Sequence, residues 1–174
     1  MLSIDVGSKN MVFCFLNGSN EHFEIQDWFF VDCDGSNIAT SVSNCVKILN
    51  TLELLNVDSV LIESQTSKNI KMKVLSHSLQ TFFEMKGIPV MFANPHNKLK
   101  LCNVDLKQKR SYSQNKKASI ERCTEIMTLY KSSAVHNSEK FYQFYMQSKK
   151  KDDLADSLLQ ALFVFSLENR INLD

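Results

Sequence analysis

Asp5 lies inside an apolar run, Leu2-Ser3-Ile4-Asp5-Val6-Gly7, and a carboxylate there limits what the chain around it can become. Alternation along a strand puts Leu2, Ile4 and Val6 on one face and Ser3 and Asp5 on the other. If both faces are covered, an ionised Asp5 needs a cation, an arginine or a ring of donors, because a buried unpaired charge is costly. The plainer alternative is a cap for the turn Val6-Gly7-Ser8-Lys9. Two other places repeat the pattern. Glu63 ends the run Val60-Leu61-Ile62-Glu63-Ser64, and Asp152, Asp153 and Asp156 open the last helical pattern, Lys151-Asp152-Asp153-Leu154-Ala155-Asp156-Ser157-Leu158-Leu159. Alone, Glu63 is a strand-end acid, and Asp152 and Asp153 begin a helix and complement its dipole. The conjunction of all three places carries the weight.

The segments between these acids define a mixed architecture. Extended stretches are expected at 2–6, 10–16 and 22–31, linked by turns at Gly7-Ser8-Lys9-Asn10 and Asn17-Gly18-Ser19-Asn20, which describes an antiparallel meander. Val42, Cys45, Val46, Leu49 and Leu52 then recur at helix-face spacing. A strand at 58–63 follows, then a helix carrying Val74-Leu75, Leu79 and Phe82-Phe83 on one side, stopped at Gly87, then a strand at 88–93. A third helix is expected over 115–131 with Ile120, Cys123 and Met127 inward. Residues 132–148 are ambiguous, and a last helix over 152–168 buries Leu154, Leu158, Ala161, Leu162 and Phe165. Strands interleaved with helices after a meander predict an α/β fold: a five-stranded mixed sheet, three strands antiparallel and the rest parallel, flanked by helices. At 174 residues this is expected to be one domain, 1–174.

Composition excludes several classes. Five cysteines, Cys14, Cys33, Cys45, Cys102 and Cys123, form no CxxC pair, so neither a zinc finger nor a disulfide framework is expected, and free buried thiols in a reducing compartment fit better. No basic segment precedes an apolar stretch at the N-terminus, so no signal peptide is expected, and no apolar run is long enough for a membrane span. The end, Ile171-Asn172-Leu173-Asp174, is not a prenylation box. The net charge is only +1, so any nucleic-acid surface must be local. Residues 94–117 supply one: Lys98, Lys100, Lys107, Lys109, Arg110, Lys116 and Lys117 stand against the single acid Asp105. This run is either a solvated face or a phosphate-neutralising one. Lys149, Lys150 and Lys151 form a second basic group, and Lys9 and Lys68 follow two of the acid-bearing strands.

Asp153 and Asp156 are three apart, about 60° around a helix, and Asp152 and Asp156 share a face equally well. Packing that helix on the sheet brings its first turn toward Asp5 and Glu63. Carboxylates gathered in one cleft repel one another unless metal joins them, and they hold two Mg2+ readily. Paired cations hydrolyse phosphodiesters, so the set points to a metal-dependent nuclease. The histidines His22, His77, His96 and His136 show no metal spacing, and Met85, Met91, Met127 and Met146 are expected to fill core gaps. Tyr112 is a candidate base-stacking aromatic. Phe141-Tyr142 and Phe144-Tyr145 are expected to pack in the core.

Strand-Asp5-x-Gly7, then Ile62-Glu63-Ser64-Gln65, then Asp153-x-x-Asp156-Ser157-Leu158 resemble the three motifs of RuvC-type Holliday junction resolvases of the ribonuclease H-like superfamily. The form Lys149-Lys150-Lys151-Asp152-Asp153-Leu154-Ala155-Asp156 is most similar to the poxvirus Holliday junction resolvases, and the resemblance runs from residue 2 to about 168. It implies a ribonuclease H-like fold and metal-binding catalytic acids at Asp5, Glu63, Asp153 and Asp156, with Asp152 competing with Asp153 as ligand. It implies Mg2+, two per site, with Mn2+ able to substitute. It also implies a homodimer, without membrane attachment, that makes paired symmetric cuts in branched DNA during viral recombination and concatemer resolution. The products would be 5′-phosphate and 3′-hydroxyl ends, and the setting the cytoplasm of the infected cell. Helix 70–86 is the expected dimer interface. Two readings compete: a catalytically silent nucleic-acid-binding module, and a ribonuclease H acting on RNA–DNA hybrids. A sugar-kinase or actin-like fragment also begins strand-Asp-x-Gly, but it requires a second phosphate loop and a longer chain, and neither is found.

Overall fold

The structure, a computed structural model, describes residues 1–19, 22–52, 57–102, 104–105, 107–133 and 135–168. The expected turn residue Asn20 and the terminal segment Ile171-Asn172-Leu173-Asp174 lie outside the described residues. The elements run β1 (Leu2–Asp5), β2 (Met11–Ser19), β3 (His22–Val31), α1 (Ile38–Leu49), β4 (Val60–Glu63), α2 (Ile70–Met85), β5 (Val90–Ala93), a 3-10 helix (Asn97–Leu101), α3 (Tyr112–Lys131), α4 (Ser138–Gln147) and α5 (Lys151–Leu167). The strands form one sheet in the order β3-β2-β1-β4-β5. β1 pairs antiparallel with β2 and parallel with β4, so the meander and the parallel half meet at the strand that bears Asp5.

The alternation in β1 sorts the two faces of the sheet. Leu2, Ile4 and Val6 pack with Cys45, Leu49, Leu75, Leu79 and Phe83 from α1 and α2. Ser3 faces the other layer, where Leu61, Val12 and Cys14 pack with residues of α3, α4 and α5. Helices therefore cover both faces, as parallel strands require.

Three expectations are corrected. β2 continues through Asn17, Gly18 and Ser19, which were expected to turn; the register with β3 shifts between Phe15 and Leu16, and the strand resumes beyond that irregularity. Gly18 fits there because a Cβ would come within 2.8 Å of the Phe165 ring, so the glycine marks close approach by α5 rather than a turn. α3 begins at Tyr112, three residues earlier than expected, because Ser111 and Gln114 form a reciprocal capping box. Met85, expected in the core, is 83% exposed, and Met91 and Val74 are also exposed, because α2 and β5 form an edge of the sheet layer. The ambiguous segment holds α4, with Phe141 and Tyr145 buried. α2 stops where expected: Gly87 takes φ +75°, a conformation glycine adopts without a Cβ penalty.

Candidate active site

Parallel pairing sets the first two acids side by side. Ile4 is in register with Ile62, so Asp5 and Glu63 follow at the carboxyl ends of adjacent strands, on the face covered by α5. Sites on α/β sheets gather at such strand ends. The first turns of α5 then bring up Asp156. Asp5, Glu63 and Asp156 each offer a carboxylate oxygen within 4.8 Å of the others, and they are the one such His, Cys, Asp or Glu group among the described residues. Asp153 lines the same cleft, of about 390 Å³, together with Asn69, His96, Tyr112 and Lys116.

The α5 placement is held by a buried polar network. The Ser3 hydroxyl donates to the Ser157 carbonyl (2.6 Å), Gln160 Nε2 donates to Ser3 Oγ (2.8 Å) and to the Ile4 carbonyl (3.0 Å), and Trp28 Nε1 donates to Ser157 Oγ (3.1 Å). The bonds of Ser3 and Gln160 tie α5 to β1 beside Asp5 and Asp156, and that of Trp28 ties it to β3. Gln160→Leu should leave Ser3 and Ile4 short of a buried donor. It is expected to cost about 1–3 kcal/mol, read as a lower urea midpoint at unchanged slope. An unchanged midpoint would mean that apolar packing alone seats the helix.

Lys98 enters the acid cluster from the 3-10 helix. Its Nζ lies 2.8 Å from Glu63 Oε1 and 2.5 Å from Asp156 Oδ2, and the residue is only 9% exposed. Gln65 Nε2 donates to the second Glu63 oxygen at 3.3 Å. Asp156 Oδ1 is buried without a hydrogen-bond partner among the described residues. Burial holds the Asp5 carboxyl well above the usual carboxylate range, and the charges of Glu63 and Asp156 add to it. Burial pushes Asp156 up to about 6, outweighing Lys98. Asp153 is raised by burial and then by Asp152. Burial opposes the charged form of Lys98, but Asp156 and Glu63 together hold its ammonium above the usual lysine value. The cluster thus has more negative groups than its one ammonium neutralises. An orphaned anionic oxygen among converging carboxylates suits a divalent cation that takes oxygen ligands.

Asp152 goes elsewhere. It is ion-paired with Lys116 of α3, and the hydrogen bond and charge of that lysine lower its pKa despite partial burial. Lys116 also stands 5.1 Å over the Tyr112 ring, and Tyr112 is 76% exposed at the rim of the cleft. Of the remaining basic residues, Lys68, Lys100, Lys107, Lys109, Lys117, Lys149 and Lys150 are exposed. Lys9 is exposed near Asp34 (3.6 Å), Lys151 is half-buried, and Arg110 bonds Asn115 and the Gln114 carbonyl. Sequence reasoning grouped Lys98 with these outward cations. No local signal separates it from its neighbours, because its role depends on where the 3-10 helix docks. Gln65 entered the sequence reading only within the Glu63 motif and His96 only as a histidine without metal spacing, whereas Ser111-x-x-Gln114 is a readable helix start.

Residues 1–168 match the family model described as Poxvirus A22 protein. Compared with the curated proteins, the sequence matches none. The fold is similar to that of the Fowlpox virus resolvase, solved with substrate Holliday junction DNA, at 20% identity, covering 95% of this chain and 98% of that one with a TM-score of 0.64. It is similar to the yeast mitochondrial Holliday junction resolvase Ydc2 at 21% identity, covering 97% and 78%, with a TM-score of 0.70. Thermus thermophilus RuvC shares 11% identity over 97% and 96%, with a TM-score of 0.62. These likenesses establish a RuvC-like, ribonuclease H-like fold.

Proposed function

The chain belongs to the poxvirus A22 protein family, and from that premise we propose that it is a metal-dependent Holliday junction resolvase, an endonuclease making paired symmetric cuts in four-way DNA junctions. The observation that carries the reading is the convergence of Asp5, Glu63 and Asp156, from β1, β4 and α5, within 4.8 Å of one another. Such a set carries repulsion among its charges that the single ammonium of Lys98 offsets only in part. Its cost is explained if the acids hold divalent cations, Mg2+ first and Mn2+ as substitute. Held by Asp5, Glu63 and Asp156, a pair of such cations would provide a nucleophilic water at neutral pH and stabilisation of the leaving 3′ oxygen, with 5′-phosphate and 3′-hydroxyl ends expected.

In this reading Asp5, Glu63 and Asp156 hold the metals, and Asp153, lining the same cleft, is the fourth ligand. Asp152 instead anchors Lys116 at the rim, where that lysine and Tyr112 receive the DNA strand. The exposed lysines at 100, 107, 109, 117, 149 and 150 neutralise phosphates of the junction arms. A two-fold substrate is most simply cut by a two-fold protein, and an apolar row on α2, Ile70 and Val74, with Phe92 on edge strand β5, is exposed and suits a second copy. The five free, buried thiols support a reducing setting, the cytoplasm of an infected cell.

A labelled synthetic four-way junction, incubated with the protein and Mg2+, should yield two symmetric nicks from a two-chain species in light scattering. Cutting of an RNA–DNA hybrid with the junction left intact would instead make the protein a ribonuclease H. No cutting of any substrate, with no metal-dependent rise in melting temperature, would leave a binding module. A monomer at micromolar concentration would remove the dimer.

A further inference from the structure

We infer that Lys98 competes with the metal for Glu63 and Asp156, and that a DNA phosphate in the cleft draws it off, so that junction binding and metal loading reinforce each other. This rests on the reading of the acids as metal ligands. It adds a coupling between substrate and metal.

The geometry sets up the competition directly. The Lys98 ammonium bridges Glu63 Oε1 at 2.8 Å and Asp156 Oδ2 at 2.5 Å, within the same cluster whose carboxylates converge to 4.8 Å. A divalent cation on those oxygens would sit against a like charge at contact distance, so the two cannot share them. The lysine can leave without disturbing the fold. Its backbone is pinned, with Leu99 buried beside it and Cys102 Sγ donating to the Lys98 carbonyl at 3.6 Å. Its stem is a flexible four-carbon chain ending in a point charge, where an arginine fork would be locked to one geometry. Lys98 already lines the cleft shared by Asp153, Tyr112 and Lys116. Rotation of the stem alone can therefore turn the ammonium toward a phosphate held there.

The apparent metal affinity is then the intrinsic affinity reduced by the fraction of molecules in which Lys98 has withdrawn. A phosphate offers Lys98 another partner and raises that fraction. By linkage, metal must tighten junction binding by the same factor. The arrangement would hold Glu63 and Asp156 paired in free protein and favour metal where DNA is present.

Calorimetric titration with Ca2+ at pH 8 tests this without reference to cleavage. Wild type and Lys98→Met are each titrated alone and with a four-way junction. If Lys98 is engaged about nine-tenths of the time, Lys98→Met should bind Ca2+ roughly tenfold more tightly than wild type without DNA. The junction should then tighten wild type by a similar factor and Lys98→Met much less. The inference is overturned if the variant binds Ca2+ no more tightly, or if the junction shifts both proteins equally. Should the variant misfold, wild type still decides: an affinity unchanged by the junction overturns it. Absence of divalent-cation binding in wild type under every condition would overturn the metal reading itself, and this inference with it.

Discussion

Asp5→Asn is expected to reduce junction cleavage by about three orders of magnitude or more while leaving junction binding intact. The substitution preserves shape and removes one negative charge at the point where β1 meets the cluster with Glu63 and Asp156. Losing a preorganised electrostatic partner of the reacting centre costs on the order of 10²–10³ in rate, and Asp5 would also be lost as a metal ligand. Binding without metal depends on basic residues outside the cluster, so electrophoretic shift of the junction in chelator should be unchanged. The same variant should melt higher than wild type in metal-free buffer, because burial and two neighbouring carboxylates disfavour the charged Asp5. It should also lose the metal-dependent rise in melting temperature, which for wild type is about 2.7 kcal/mol of stability at a hundredfold excess over Kd. Combined loss of binding and folding would give Asp5 a structural role in place of the catalytic one.

The second large effect is on stability against pH. Asp156 has its carboxyl pushed up to about 6 in the folded protein, above the ordinary value of 3.8. Between those limits the folded state keeps a proton that the unfolded chain has released. Stability from this group therefore falls as pH rises, and the penalty is complete above about pH 6. Two pH units of difference correspond to roughly 3 kcal/mol, with the attraction of Lys98 already contained in that carboxyl's pKa. Asp156→Asn removes the titration, so the stability of the variant relative to wild type should climb from pH 4 to pH 6 and then level off, measured by urea unfolding in chelator. Saturating Mg2+ should flatten or reverse the difference. A constant difference across that range would mean that Lys98 fully compensates Asp156 and that the cluster is not poised for metal.

Much of this protein was legible in its sequence, and for local reasons. The alternation in β1, the short apolar run of β4 and the helical spacing of α1, α2 and α5 are local patterns that the sequence reports directly. The same patterns located Asp5, Glu63 and Asp156, because a charge interrupting an apolar run is visible without coordinates. Where an element's limit depends on a neighbour, the pattern misled. Asn17-Gly18-Ser19 reads as a turn, yet Gly18 is small because Phe165, far away in the chain, packs on it. Met85 reads as core, yet α2 lies at an edge where nothing among the described residues covers it.

What the sequence determined by itself was the five strands, the helices α1, α2, α3 and α5, the strand ends and helix start at which the acids stand, and the family. Those properties arise from short-range periodicity and from the few residues that break it. What only the tertiary structure decided was the allocation of charges once the elements packed. Asp152 was drawn to Lys116 while Asp153 lined the cleft, and Lys98 was taken from a basic run and buried between Glu63 and Asp156. Coulomb energy depends on distances of a few ångströms between groups tens of residues apart in the chain. Two lysines that look alike in sequence can therefore end with opposite roles.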